Sequence, residues 1–181
     1  MKNKVLIFPT DTVYGIGAKI FDEEGIKRIY EIKGRTFNKP LAVLCANLEQ
    51  IKEIAIVDSR VKKLAKNFWP GALTLILNTN KQYYKLTKEK TIGVRIPNHP
   101  IALDILISNG PMKTTSVNKS GEPPLNDFEE IKKEYQNLVD GIYPNNTDIL
   151  EVSSTVIDLT TNELKLLRQG TITLEQINKV L

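Results

Sequence analysis

The sequence predicts a mixed α/β (α+β) fold: one domain, residues 1–181, built on a twisted open sheet flanked by helices. Three observations predict it. Short apolar runs of strand length recur at 5–8, 41–45, 73–77, 92–96, 112–117, 155–159 and 164–167, and most contain β-branched residues. Segments with helical spacing separate several of them. Some connections are too short for helical crossovers, so antiparallel pairs are expected beside parallel ones and the sheet is mixed.

The elements follow in order. The strand at 5–8 is closed by Pro9, which limits further pairing. Ile26, Ile29, Tyr30 and Ile32 lie near one face of a helix over 23–33, which Gly34 breaks. Pro40 begins the strand at 41–45. Ser59 is placed to cap a helix through Phe68, which Pro70-Gly71 stops. The polar, lysine-rich stretch 78–90 reads as a hairpin excursion or mobile loop. A helix over 99–108 is apolar enough to be buried and ends at Asn109-Gly110-Pro111. An amphipathic helix spans 127–139 with Asn126 or Asp127 as cap. Thr173 caps a last short helix with Glu175 in its first turn.

Composition narrows the function. Twenty-five basic against 21 acidic residues leave a net charge of +4. That excess permits a nucleic-acid or phosphate partner without demanding one. The single cysteine, Cys45, sits in an apolar run and reads as a buried thiol, a usage that fits a reducing, cytoplasmic compartment. No stretch approaches the ~20 apolar residues of a membrane helix, and no secretory apolar region follows the amino terminus. One histidine gives no basis for a Ser/His/Asp or Cys/His triad, and no metal-ligand cluster is present. Gly15-Ile16-Gly17 lacks the third glycine of a dinucleotide fingerprint.

What remains is a set of cations and hydroxyls on short loops that follow apolar runs. Asp11, Thr10 and Thr12 sit at the carboxyl end of the first strand, where open α/β sheets bind ligands. Lys33, Arg35 and Lys39 form a phosphate clamp, or complement the dipole of the preceding helix. Arg95 lies inside an apolar strand with Gly93 on the same face. A guanidinium there needs an anionic ligand or a structural carboxylate. Ser116, Asn118 and Ser120 present uncharged hydrogen-bonding groups, and Ser154 and Arg168 flank the last two strands. His99 reads as a capping or loop residue, and Trp69-Pro70-Gly71 as a packed corner.

The order and spacing of these clusters resemble the YrdC-like family of threonylcarbamoyl-AMP synthases over residues 8–173. The resemblance is carried by Pro9-Thr10-Asp11-Thr12 with Tyr14, Gly15 and Gly17, by Lys33-Gly34-Arg35 with Lys39-Pro40-Leu41, and by Trp69-Pro70-Gly71 with Leu73-Thr74. It continues through Val94-Arg95 with Pro97, Ser116 with Asn118, Ser120 and Gly121, Ser154-Thr155-Val156 with Asp158, and Leu167-Arg168 with Gly170 and Ile172.

The resemblance implies a short, single-domain protein with a basic concave cavity. It implies condensation of L-threonine, bicarbonate and ATP to threonylcarbamoyl-AMP and pyrophosphate, for modification of the adenosine beside the anticodon of ANN-decoding tRNAs. By matching positions, Lys33 and Arg35 are catalytic, and Thr12, Arg95 and Ser154 contact threonine. Arg35, Lys39, Thr91, Ser116, Asn118 and Arg168 contact ATP. Mg2+ is expected through the ATP phosphates, with no protein metal site. Implied partners are the downstream tRNA threonylcarbamoyl transferase machinery and possible tRNA or double-stranded RNA. A non-catalytic RNA-binding protein of the same fold is the alternative. The chain departs from the family's usual residues at Leu44, where histidine is common, at Ser153 for glutamate, and at Gln169 for proline.

Overall fold

In the computed structural model, which describes residues 3–181, nine strands pair into one mixed sheet. Leu6–Phe8 (β1) and Gly15–Lys19 (β2) form the first antiparallel pair. β2 lies in a stretch for which the sequence predicted no strand. It holds just five residues, and its glycines hide the alternation that marks a strand.

The helix Glu23–Lys33 (α1) starts where the Asp22 carboxylate accepts from the Gly25 amide at 3.0 Å. It ends at Gly34, whose φ of +57° few other residues tolerate. Ala42–Leu44 (β3) is followed by the short helix Leu48–Lys52 (α2), which lacks the length for a visible helical period. In Ser59–Phe68 (α3) the cap is Asp58 rather than Ser59, because the Asp58 carboxylate reaches the Val61 amide at 3.0 Å.

Beyond Leu73–Asn78 (β4), the stretch expected as a hairpin or mobile loop is a helix, Lys81–Thr87 (α4). Asn80 caps it through the Tyr83 amide at 2.8 Å, and Tyr83 is buried as its one core residue. A single apolar anchor among lysines gives no periodic signal. Thr91–Arg95 (β5), Pro100–Asn109 (α5) and Met112–Ser116 (β6) follow. The helix Phe128–Tyr135 (α6) is capped by Asp127 and stops short of residue 139, since the chain turns there toward Gly141–Ile142 (β7). Thr155–Asp158 (β8), Lys165–Arg168 (β9) and Leu174–Asn178 (α7) complete the chain, with Thr173 and Gln176 forming a capping box before α7.

The strand order is β7-β1-β2-β6-β3-β5-β4-β8-β9, with β1–β7, β3–β5 and β4–β8 parallel and the other neighbours antiparallel. Alternation divides the two faces. On the back face Val43, Leu75, Val94 and Ile157 pack against Ile51, Leu64, Tyr83 and Ile177 of α2, α3, α4 and α7. Beside them Ile7 and Ile16 meet Ile29 and Tyr30 of α1 and Ile131 and Tyr135 of α6. The front face is covered at one end only, where α5 places Ala102, Ile105 and Leu106 on Leu6, Phe8, Leu44 and Met112. The rest of the front lies open. Among the described residues no helix is long and apolar enough to cross a membrane.

Candidate active site

The open part of the front face is the floor of a cavity of about 310 Å³. Front-facing residues supply it: Ala42 and Leu44 from β3, Thr74 and Ile76 from β4, Gly93 and Arg95 from β5, and Thr114 and Ser116 from β6. Loop residues Thr12, Arg35, Ser153 and Ser154, together with Arg168 of β9, form the walls. The lining holds three arginines and no aspartate, glutamate, lysine or histidine.

Arg95 is 5% exposed, so its charge is partnered from several sides. Its Nε donates to the Gly71 carbonyl at 2.9 Å and its Nη1 to Thr12 Oγ1 at 2.7 Å, while Nη2 pairs with the Asp11 carboxylate. The structural partner that sequence reasoning left open is therefore Asp11. A guanidinium has five N–H groups, so these contacts leave donors for a ligand. Burial pushes the Arg95 pKa down, the Asp11 charge opposes this, and the Arg168 charge adds to the lowering. The two guanidiniums thus make this part of the cavity electropositive.

Ser154 is buried between two neighbours. Its Oγ shares a hydrogen bond with Thr74 Oγ1 at 2.7 Å and accepts from Arg168 Nη2 at 3.2 Å, while Arg168 Nε donates to the Ser154 carbonyl at 3.0 Å. Gly170 makes this approach possible. A Cβ there would lie 2.5 Å from the Ser153 carbonyl oxygen and 2.6 Å from the Thr155 nitrogen. Its amide instead donates to Thr155 Oγ1 at 2.9 Å.

Arg35 closes the opposite wall. Its guanidinium folds onto its own loop, with Nε on the Lys39 carbonyl at 3.2 Å and Nη2 on the Pro40 carbonyl at 3.1 Å. The Tyr30 hydroxyl donates to the same Lys39 carbonyl at 2.9 Å and braces the loop from α1.

The cavity brings together Thr12, Arg35, Arg95, Ser116, Ser154 and Arg168 of the residues singled out from sequence. Of the residues expected as catalytic or as contacts to threonine and ATP, four others stand outside its lining. Lys39 is exposed on the loop beside it. Thr91 occupies the far end of β5, exposed, on the same strand face as Gly93 and Arg95. Asn118 is buried behind Ser116, whose hydroxyl donates to Asn118 Oδ1 at 2.6 Å.

Lys33, expected to line the phosphate region, turns away from the cavity. Its ammonium is buried and donates to the Ser116 carbonyl at 2.5 Å, and to the carbonyl and Oδ1 of Asn118, both at 2.8 Å. Three donors meet three acceptors, so the side chain clamps the β6 loop to α1. Burial first, and the Arg35 charge second, push its pKa down to about 8.

Two lining residues, Thr74 and Thr114, were given no role from sequence. Thr74 steadies Ser154, and its signal was a hydroxyl amid the leucines and isoleucine of β4. Thr114 projects over Gly15 and Gly17, where a Cβ would lie 2.7 and 2.8 Å from its side chain. The glycines of β2 serve that close approach.

The fold and cavity together define a class: a mixed α/β domain with an arginine- and hydroxyl-lined cavity on an uncovered sheet face. The Sua5_yciO_yrdC family model, described as telomere recombination, matches residues 1–170, and the chain belongs to this Sua5/YciO/YrdC family. It is 38% identical over 184 residues to a threonylcarbamoyl-AMP synthase of Pyrococcus abyssi, covering 99% of this chain and 54% of that protein. The chain thus spans about half the length of the first curated relatives it matches. The crystal structure of P. abyssi Sua5 complexed with L-threonine superposes with a TM-score of 0.91 at 38% identity, over 99% of this chain and 54% of that one. The crystal structure of Escherichia coli YciO superposes with a TM-score of 0.84 at 33% identity, over 96% and 86% of the two chains.

Proposed function

We propose that the chain is an L-threonylcarbamoyladenylate synthase, a nucleotidyltransferase that condenses L-threonine, bicarbonate and ATP. One observation carries this reading. Three arginines converge on a carboxylate-free cavity lined by hydroxyls, in a family with a member that binds L-threonine.

The reaction suits the inventory. Threonine's amine adds to bicarbonate-derived CO2 and loses a proton, giving a carbamate. A carbamate oxygen attacks the α-phosphorus of ATP, the bond to the bridging oxygen breaks, and pyrophosphate leaves. Such transfers depend on positioning and on stabilising charge, so no protein nucleophile is needed. Arg95 would hold the threonine carboxylate, with Thr12 and Ser154 beside it. Arg35, Lys39 and Arg168 would neutralise the triphosphate, and Ser116 would fix the nucleotide. Thr91 and Asn118 join the nucleotide's environment in this reading, and Lys33 acts by holding the Ser116–Asn118 loop. The lining offers no carboxylate to a cation, so Mg2+ would enter on the triphosphate as part of the substrate. The product would pass, in the cytoplasm, to a transferase that modifies tRNA.

The test is pyrophosphate release from ATP with and without L-threonine and bicarbonate. Release that needs both is the expected result. ATP binding without such release would overturn the synthase reading and favour a non-catalytic RNA-binding role.

A further inference from the structure

His99 is the one histidine of the chain, is 1% exposed, and lies outside the cavity lining. It stands at the amino end of α5 without capping that helix through its side chain. Its Nε2 lies 3.0 Å from Asn145 Oδ1. The same Oδ1 accepts the Thr147 amide at 3.1 Å. An amide N–H can only donate, so this atom of Asn145 is an acceptor and His99 Nε2 must carry the proton. Nδ1 has no partner among the described residues. The imidazole therefore makes a single contact across the fold, through Nε2.

That contact lies on a long connection. Residues 143–153 run from β7 to the cavity wall with little ladder pairing. The Tyr143 amide donates to the Ile7 carbonyl at 2.9 Å. The Leu150 amide donates to the Asp11 carbonyl at 3.0 Å, and Ile149 packs on the core beneath. Between these anchors, residues 144–148 are exposed, and the Asn145–His99 bond ties them down. The connection ends at Ser153 and Ser154 in the cavity.

Asp11 is where the parts meet. Its carbonyl holds Leu150, and its Oδ1 accepts the Asn98 amide at 2.9 Å and pairs with Arg95. Asn98 and His99 are adjacent, so one corner of chain grips both the Asp11 loop and the connection that crosses it. We propose that His99 is a positioning residue: with Asn145 it clamps the 143–153 strap onto the Asp11 loop and so keeps Arg95 and Ser154 aimed into the cavity. This assignment of what the cavity binds rests on the synthase reading; the clamp itself does not.

The test uses Asn145→Ala, which changes an exposed residue and leaves the core intact, together with Asn145→Asp, which keeps the acceptor, and His99→Gln, which keeps a donor in place of Nε2–H. Two readouts are taken on the full chain: exchange of the Leu150 and Asn98 amides, and the KM values for threonine and ATP in pyrophosphate release. Loss of one such hydrogen bond should speed Leu150 exchange and raise the threonine KM, each about fivefold, with kcat and the ATP KM within about twofold. Asn145→Asp and His99→Gln should restore both. Unchanged Leu150 exchange in Asn145→Ala overturns the clamp. Faster exchange with an unmoved threonine KM overturns the positioning role. A wild-type chain without threonine-dependent release sinks the synthase reading instead, and amide exchange then decides the clamp alone.

Discussion

The Lys33 ammonium grips Asn118 twice, at its main-chain carbonyl and at its side-chain Oδ1, both at 2.8 Å. With the third bond to the Ser116 carbonyl, the last turn of α1 is stapled to the loop that presents Ser116 to the cavity. The staple needs all three protons. A neutral amine has two, and its lone pair would face a carbonyl oxygen.

This gives a pH signature. Burial lowers the Lys33 pKa from 10.5 to about 8. The staple is therefore complete below pH 8 and is lost as pH rises through it. The ATP KM should climb across that value, and Lys33→Met should show a raised, pH-flat ATP KM. Stability moves the other way. The folded value lies below the unfolded one, so proton release favours the folded state between 8 and 10.5. Initial rates and melting temperatures from pH 7 to 10 check both signs.

Among the described residues the Arg35 guanidinium hydrogen-bonds only to carbonyls of its own loop. Arg35→Ala should remove most of the turnover while unfolding free energy stays within about 0.5 kcal/mol of wild type. Steady-state kinetics beside urea denaturation will show it. Near-normal turnover would remove Arg35 from the phosphate clamp.

Gly170 has backbone on its Cβ side at 2.5 to 2.8 Å. Gly170→Ala must push β9 away from residues 153–155, at a cost of about 1–3 kcal/mol. It should also weaken nucleotide binding by moving Arg168 from Ser154. Denaturation midpoints and ATP titration measure the two effects.

Leu44 lines the cavity floor and also packs with α5. Leu44→His places a polar ring on the floor and withdraws a leucine from that cluster. A lower threonine KM is expected together with a loss of about 2 kcal/mol in stability. An unchanged KM would show that this position does not touch the amino acid.

The strands were legible where their residues were apolar and branched, as in β4, β5 and β8. They were not legible in β2, whose glycines serve Thr114 across the sheet, nor in α4, which rests on Tyr83 alone. The site was legible through charge out of place: Arg95 within an apolar strand announces itself. The role of Lys33 was not, because sequence shows that a cation is near a loop and cannot show which way its ammonium turns. The partners of Thr74 and Asp11 were not legible for a related reason. Each acts through a second side chain, Ser154 or Arg95, that only the tertiary fold brings alongside.

The sheet is helix-covered on its back, while its front is covered only where α5 sits. A nucleotide and amino acid lodged on the bare part would occupy the place that a helix takes in a three-layered domain. Ligands lodged there would then act as a removable piece of architecture. The free chain is an unfinished sandwich, and filling it should raise the melting temperature in proportion to the logarithm of ligand concentration. Durability in the cell would then follow nutrient and energy supply, with a well-fed chain outlasting a starved one.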